Sequence, residues 1–156
     1  MLSHAEFKAS LALFASGVTV ITWNDDKHKV QGITVSAFSS LSLDPPLVLF
    51  CIGKNAYVHD MMRQQSHLAV NILAAGQTDL AWRFAGADRD NLDAHIHRDN
   101  PHALPYLNDA LCNLSVAVRD ILPGGDHSIF IAEVLDSARS PERKPLLYHN
   151  STLFSA

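Results

Sequence analysis

Residues 32–49 read Gly32-Ile-Thr-Val-Ser-Ala-Phe-Ser-Ser-Leu-Ser-Leu-Asp-Pro-Pro-Leu-Val-Leu49 (GITVSAFSSLSLDPPLVL) and decide the fold. Up to Leu43, β-branched, aromatic and aliphatic residues alternate with small hydroxyl side chains, the composition of an extended chain with one face on a core. Pro45 and Pro46 then remove two amide donors and break the ladder, before residues 47–52 resume as a short buried strand. The segment carries Thr34, Ser36, Ser39, Ser40 and Ser42, with Thr19 or Thr22 nearby. Small hydroxyl residues on an extended chain present backbone amides and side-chain oxygens to a flat polar ligand, because no bulky side chain holds the ligand away. The segment therefore reads both as strand and as the wall of a polar site.

Upstream, Ser3 followed by Glu6 fits a capping box, and Phe7, Leu11 and Phe14 recur at helical spacing until Gly17. This predicts a helix over about 4–15 that lays an aromatic face on the core. Residues 18–23 are rich in β-branched side chains, 24–27 form a polar turn and 30–38 resume an extended pattern, which makes a β-hairpin. Downstream, Gly53, Lys54 and Asn55 open a helical stretch running to about Gln65, residues 67–73 read as a strand, and Thr78 caps a short helix ending at Gly86. From 87 to 105 the chain is dense in Asp, Asn, His and Arg with little apolar periodicity, so a long surface loop is expected, a place for function or movement. Residues 111–121 and 128–138 are two strands joined by Leu122-Pro123-Gly124-Gly125-Asp126, and 146–148 a last short one.

About six strands, joined mostly by short turns and interrupted by two or three helices, match a mainly β, antiparallel barrel better than a doubly wound sheet. No G-x-G-x-x-G is present, so a Rossmann site has no support. No internal repeat, low-complexity tract or linker divides residues 1–156, which read as one domain. At 156 residues with 47% hydrophobic and 18% charged residues, the composition is that of a soluble globular domain with a substantial core. A net charge of −4 without a Lys/Arg cluster argues against a nucleic-acid partner. Cys51 and Cys112 lie far apart in apolar sequence and form no C-x-x-C, so buried reduced thiols are expected rather than a redox pair. No apolar run is long enough to span a bilayer, and LALFASGVTVIT lacks the flanks of a secretory signal, so no membrane partner and a cytoplasmic location are expected.

Gly53-Lys54-Asn55 at a helix start has two readings: an anion site built from unpaired amides and the Lys54 ammonium, or an ordinary N-cap with an exposed lysine. Asp126-His127 closes a glycine-rich turn, where Asp before His also serves simply to satisfy local amides. His95, His97 and His102, with Asp93 and Asp99, sit on an irregular stretch and match no zinc framework; they read as solvated loop histidines, and no metal is expected. No G-x-S-x-G elbow supports a hydrolase.

The order of motifs carries more information than any one of them. The run 32–49, followed by CIGKNAYVHDMM, then FAG, then GDHSIFIAEV, resembles the flavin reductase family from Phe7 to about Tyr148. The resemblance implies an antiparallel Greek-key split β-barrel of about six strands with two or three flanking helices, which binds FMN or FAD and takes NADH or NADPH as co-substrate. It implies that Thr34, Val35, Ser36 and Ala37 meet the polar edge of the isoalloxazine, and that Ser39 and Ser40 approach ribityl or phosphate oxygens. Ile52, Gly53, Lys54 and Asn55 would hold the phosphate, with His59 assisting. Phe84 would lie against the ring system or an adjoining subunit, and Tyr148 on the nicotinamide side. His127 would position the nicotinamide with Asp126 orienting its imidazole; direct hydride transfer needs two stacked rings and no strong base.

The family also implies a homodimer with its site at the subunit interface, and a separate monooxygenase fed by diffusing reduced flavin. Departures from the pattern are Ser36-Ala37 in place of Asn-Ser, the lack of hydroxyls near Ala56 or Val58, and Leu153 in place of a tyrosine. They leave open a flavin carrier or sensor without turnover, a pyridoxamine-phosphate-oxidase-like oxidase with tightly bound FMN, and a barrel with no cofactor. They equally leave open FMN against FAD and whether flavin is resident or diffusible. The lack of an arginine pair for a 2′-phosphate leans to NADH over NADPH.

Overall fold

Residues 19–24 and 30–35 pair as the expected hairpin, and the rest of the sheet grows around it. In the computed structural model, which describes residues 1–86 and 88–156, the chain forms α1 (His4–Leu11), β1 (Ser16–Gly17), β2 (Thr19–Asn24), β3 (Val30–Val35), β4 (Phe38–Ser42), β5 (Leu47–Gly53), α2 (His59–Arg63), β6 (His67–Ile72) and α3 (Thr78–Phe84). A 3-10 turn (Leu92–His95) follows, then β7 (Ile96–His97), β8 (Tyr106–Leu107), β9 (Cys112–Gly124), β10 (His127–Arg139), β11 (Leu146–His149) and β12 (Thr152–Ser155). The fold is mainly β with three α-helices among the described residues.

Instead of the expected six or so strands, seven form one antiparallel sheet in the order β3-β2-β6-β9-β10-β5-β4. The additional strand arises because residues 30–42 do not run straight. The chain bends at Ser36-Ala37, where the Phe38 amide donates to the Ser36 carbonyl at 2.9 Å and the Cys51 amide to the Ala37 carbonyl at 3.0 Å. Small side chains at the bend allow β4 to leave β2 and pair with β5. The two edges of the sheet, β3 and β4, are therefore consecutive in the chain.

The core follows from strand alternation. On β5, Val48, Phe50 and Ile52 are buried while Leu47, Leu49, Cys51 and Gly53 face the other way. Phe50 stacks on Phe130 of β10 with centroids 5.4 Å apart. β2 is covered on both faces, so Thr19–Trp23 are all buried, and its polar members are satisfied. Asn71 Nδ2 donates to the Val20 carbonyl and Thr22 Oγ1, while its Oδ1 accepts from the Leu107 amide and Asn113 Nδ2. Gly32 is required because a Cβ there would stand 2.8 Å from both the Ile21 carbonyl and the Phe84 ring.

Several expectations are corrected. The capping box of α1 forms, with Ser3 and Glu6 bonded reciprocally, but the helix ends at Leu11 and none of its residues is buried. Phe7, Leu11 and Phe14 are 55%, 54% and 78% exposed, so the aromatic face points out of this chain. Periodicity shows that a face is apolar, not which molecule covers it. The second helix begins only at His59, and residues 54–58 form turns. Gln77, not Thr78, holds the N-cap position of α3 without a side-chain capping bond; its side chain instead accepts from the Ala74 amide and donates to the Asn108 carbonyl.

Of the expected loop 87–105, Ala87 lies outside the described residues and the remainder is tied down. Leu92 and Leu104 are buried, β7 pairs with β8, and Arg98 bonds Asn24 Oδ1 and the His28 carbonyl. The hairpin of β9 and β10 extends through Leu122-Pro123-Gly124 and turns only at Gly125-Asp126, where Gly125 takes φ +67°. β12, unforeseen in the sequence, pairs with β11.

Candidate functional site

The bend at Ser36-Ala37 forms one wall of a groove of about 460 Å³. Its floor is Leu49 and Cys51, the outward row of β5; Ser39 lies opposite Leu49 on β4, and Tyr148 and Phe14 close the side. A smaller cavity of about 180 Å³ shares Ser36 and Tyr148 and continues past Thr34 to Trp82 and Leu153. Thr34, Ser36, Ala37, Ser39 and Tyr148 of the sequence-derived set thus line two cavities that share Ser36 and Tyr148.

Other members of that set turn inward. Val35 and Ile52 are buried in the core, so only their backbone can reach a ligand. The Thr34 hydroxyl is donated to the Ala81 carbonyl of α3. Phe84 has no exposed surface and packs under Gly32; the expectation that it touches a ring or a second subunit is corrected, because α3 lies flat on β3 and uses Phe84 as its core anchor. His59 is buried, with Nδ1 3.0 Å from Asp60 Oδ1 and Nε2 2.8 Å from Ser128 Oγ. Ser40 is exposed on β4, and its carbonyl accepts from Ser39 Oγ.

The same outward row of β5 ends at Gly53, and here two motifs more than seventy residues apart meet. Register places His127 between Gly53 on β5 and Gly124 on β9, so both cross-strand neighbours of the imidazole lack side chains. A Cβ on Gly53 would stand 3.7 Å from His127 Nε2. The half-exposed ring therefore lies over Gly53, about 7 Å along the strand from Cys51, while the Ile129 side chain covers the Gly124 side. Its Nδ1 is 2.8 Å from Asp126 Oδ1. That hydrogen bond, followed by the charge of the imidazole, holds the Asp126 carboxyl below the usual carboxylate range. Lys54 and Asn55 are exposed beside this turn; the Lys54 amide donates to the Asp126 carbonyl at 2.9 Å and Lys54 Nζ to the Gly125 carbonyl at 2.7 Å. The geometry of Gly53-Lys54-Asn55 is thus that of a tethered turn rather than a helix start.

Sequence reasoning missed Cys51, Trp82 and Arg89. Alternation along β5 could have put Cys51 on the floor, and burial pushes its thiol above the usual value. Arg89 donates to the Gly32 and Phe84 carbonyls and lies 5.2 Å from the centroid of the Tyr57 ring, a placement without a local sequence signal. The loop histidines have other partners: His95 meets Arg83, His97 edges Tyr106 and His102 stacks on His67.

Residues 11–156 match the family described as flavin reductase like domain. The chain is 36% identical over 142 residues to the NADH-dependent FAD reductase of Streptomyces globisporus, covering 86% of this chain and 76% of that protein. It is 40% identical over 150 residues to the reductase component of the 4-nitrophenol 4-monooxygenase/4-nitrocatechol 2-monooxygenase of Rhodococcus opacus, covering 95% and 78%. Among solved structures, the flavin reductase PheA2 in its native state superposes with a TM-score of 0.90 at 35% identity over 99% of each chain. The Streptomyces globisporus C-1027 NADH:FAD oxidoreductase SgcE6, solved with NAD and FAD fragments, superposes with a TM-score of 0.89 at 32% identity, covering 97% of this chain and 92% of that one. A match of this extent, with relatives of this identity and coverage, makes the chain a member of the flavin reductase-like domain family.

Proposed function

We propose that this protein is an NADH:flavin oxidoreductase that reduces FMN or FAD in the groove between β4 and β5 and supplies the reduced flavin to a separate monooxygenase. The observation that carries the reading is the placement of both motifs on one strand face. Leu49 and Cys51, walled by Ser36, Ala37 and Ser39, lie on the outward row of β5 that ends at Gly53, the cross-strand partner of the half-exposed His127. The groove fits a flat ring whose polar edge meets amides and hydroxyls at 34–40 and whose phosphate meets the turn 53–55, where the exposed Lys54 ammonium is the local cation. Relatives named as NADH-dependent reductases and as monooxygenase reductase components support the cofactor and the partner.

Bound flavin supplies the hydride acceptor, and with NADH as donor the balance is NADH, flavin and one proton giving NAD⁺ and reduced flavin. The protein's own work is orientation. Asp126, its carboxyl held below the usual range, fixes the His127 ring through Nδ1 and leaves Nε2 as the nitrogen that would hydrogen-bond a nicotinamide amide. Tyr148, which lines the side of the groove, is the aromatic proposed to meet the nicotinamide. The openness of His127 favours turnover over a carrier, which has no use for a vacant nicotinamide side.

The finer architecture belongs to the same reading. With 30–42 counted as one strand bent at Ser36-Ala37, the seven-stranded sheet is read as the six-stranded Greek-key split barrel of the family; the two edge strands being consecutive in the chain supports that reading. The exposed face of Phe7, Leu11 and Phe14, beside the groove, is covered by a second copy in a homodimer. No helix among the described residues is long and apolar enough to cross a membrane, in keeping with a cytoplasmic enzyme. A steady-state assay with each flavin and each pyridine nucleotide tests the proposal: NADH oxidation should saturate with added FMN or FAD, and a protein that binds flavin but leaves NADH intact would refute it.

A further inference from the structure

We infer that Lys54 is a positioning residue that couples the two halves of the site, so that a phosphate bound at the turn 53–55 tightens the nicotinamide side; this rests on the flavin reading above. The physical link is short. Lys54 directly follows Gly53, the cross-strand partner of His127. Its amide holds the Asp126 carbonyl at 2.9 Å, and its ammonium reaches over the hairpin tip to the Gly125 carbonyl at 2.7 Å. Gly125, at φ +67°, is the residue on which the turn depends, and a glycine turn is the loosest kind of chain unless something outside it holds it. The Asp126 side chain is 92% exposed, so it gives the turn no packing of its own.

An ammonium carries three donors and one is used on Gly125. Lys54 is otherwise in solvent, so the other two are free to take phosphate oxygens without releasing the carbonyl. Fixed from both sides, the lysine stem loses its rotamer freedom once. The nicotinamide then meets a hairpin tip already ordered, with the Asp126–His127 pair in place. Coupling of this kind is reciprocal: the nicotinamide nucleotide must strengthen phosphate binding by the same factor. The base of the hairpin has its own tether, His59 Nε2 to Ser128 Oγ at 2.8 Å, so loss of the Lys54 side chain loosens the tip without shifting the strand.

Riboflavin and FMN share the ring and differ in the phosphate, which isolates the effect. The test is the dissociation constant of NAD⁺, measured by calorimetry on protein saturated with FMN or with riboflavin, in wild type and in Lys54→Met. In wild type NAD⁺ should bind at least about fivefold more tightly with FMN than with riboflavin, within the usual range of coupling between sites. In Lys54→Met the ratio should fall to about one while riboflavin affinity stays within about twofold, which also reports that the variant is folded; Lys54→Gln serves if it is not. A wild-type ratio near one, or a ratio that survives in the variant, overturns the inference and leaves the flavin reading standing. Failure of both flavins to bind wild-type protein overturns the two together.

Discussion

His127 is open because of what its neighbours lack. With Gly53 and Gly124 as its paired cross-strand neighbours, neither partner sets a side chain opposite the ring, and Asp126 takes Nδ1. His127→Ala should therefore slow NADH-dependent flavin reduction by about tenfold or more, close to 1.4 kcal/mol of transition-state stabilisation, while flavin affinity changes less than about twofold. Equal rates in variant and wild type would refute the role. Gly53→Val is the complementary test: a Cβ at 3.7 Å from Nε2 is ordinary contact, but the branches beyond it cover the nitrogen, so KM for NADH should rise several-fold.

Cys51 probes the floor. Its thiol is raised by burial, so less thiolate is present at any given pH than in a free cysteine, and alkylation should be slow near neutrality and accelerate as pH rises. FMN should protect Cys51 and not Cys112, read by peptide mass mapping; equal labelling of Cys51 with and without FMN would place the ring elsewhere. At this scale the sequence made the hydroxyl run and the Asp126-His127 pair legible, because both are local patterns. It could not show that Thr34 gives its hydroxyl to Ala81 or that Phe84 is sealed under Gly32, since those depend on how α3 lies on β3.

Elements form where local chemistry and packing agree. β2, β3, β5, β6, β9 and β10 were each legible from β-branched or alternating runs, and the double proline marks where β4 stops. The misses share one cause: the deciding contact is distant in the chain. The stretch after Gly53 reads as a helix start, yet Lys54 is drawn to Gly125 and Asp126, and helical geometry begins only at His59. Residues 87–105 read as loop, yet among the described residues 88–105 Arg98 ties the chain to Asn24 and His28 of the β2–β3 hairpin, and β7 pairs with β8. The packing of α3 on that hairpin has a sharp test in Gly32→Ala. The added methyl stands 2.8 Å from a backbone carbonyl and from the Phe84 ring, so something must shift. A loss of about 1–3 kcal/mol in denaturant unfolding is expected; a variant as stable as wild type would show that α3 is not packed as described.

On the scale of the whole molecule, one bent strand and one bare face stand out. Residues 30–42 serve both edges of the sheet, which sets the groove wall at the point where the chain turns. The helix α1, capped and regular, exposes Phe7 and Leu11, and Phe14 follows it into the groove wall. An apolar face of this kind beside the site fits an interface between copies of the chain. Light scattering should give a dimer at micromolar concentration, and Phe7→Glu combined with Leu11→Glu should shift it to monomer with reduced flavin affinity; a wild-type monomer would remove the dimer from the account. The sequence carried the apolar periodicity of this helix but not its destination, because the pattern marks an apolar face and not what covers it.

The central claim is that the groove floored by Leu49 and Cys51 holds the flavin. A crystal structure of the protein soaked with FMN measures this directly. The account predicts the ring lying along that floor against Ser36 and Ala37, its phosphate at Lys54 and Asn55, and His127 at the open end of the groove. FMN bound elsewhere, or the groove filled by the protein's own side chains, would contradict it.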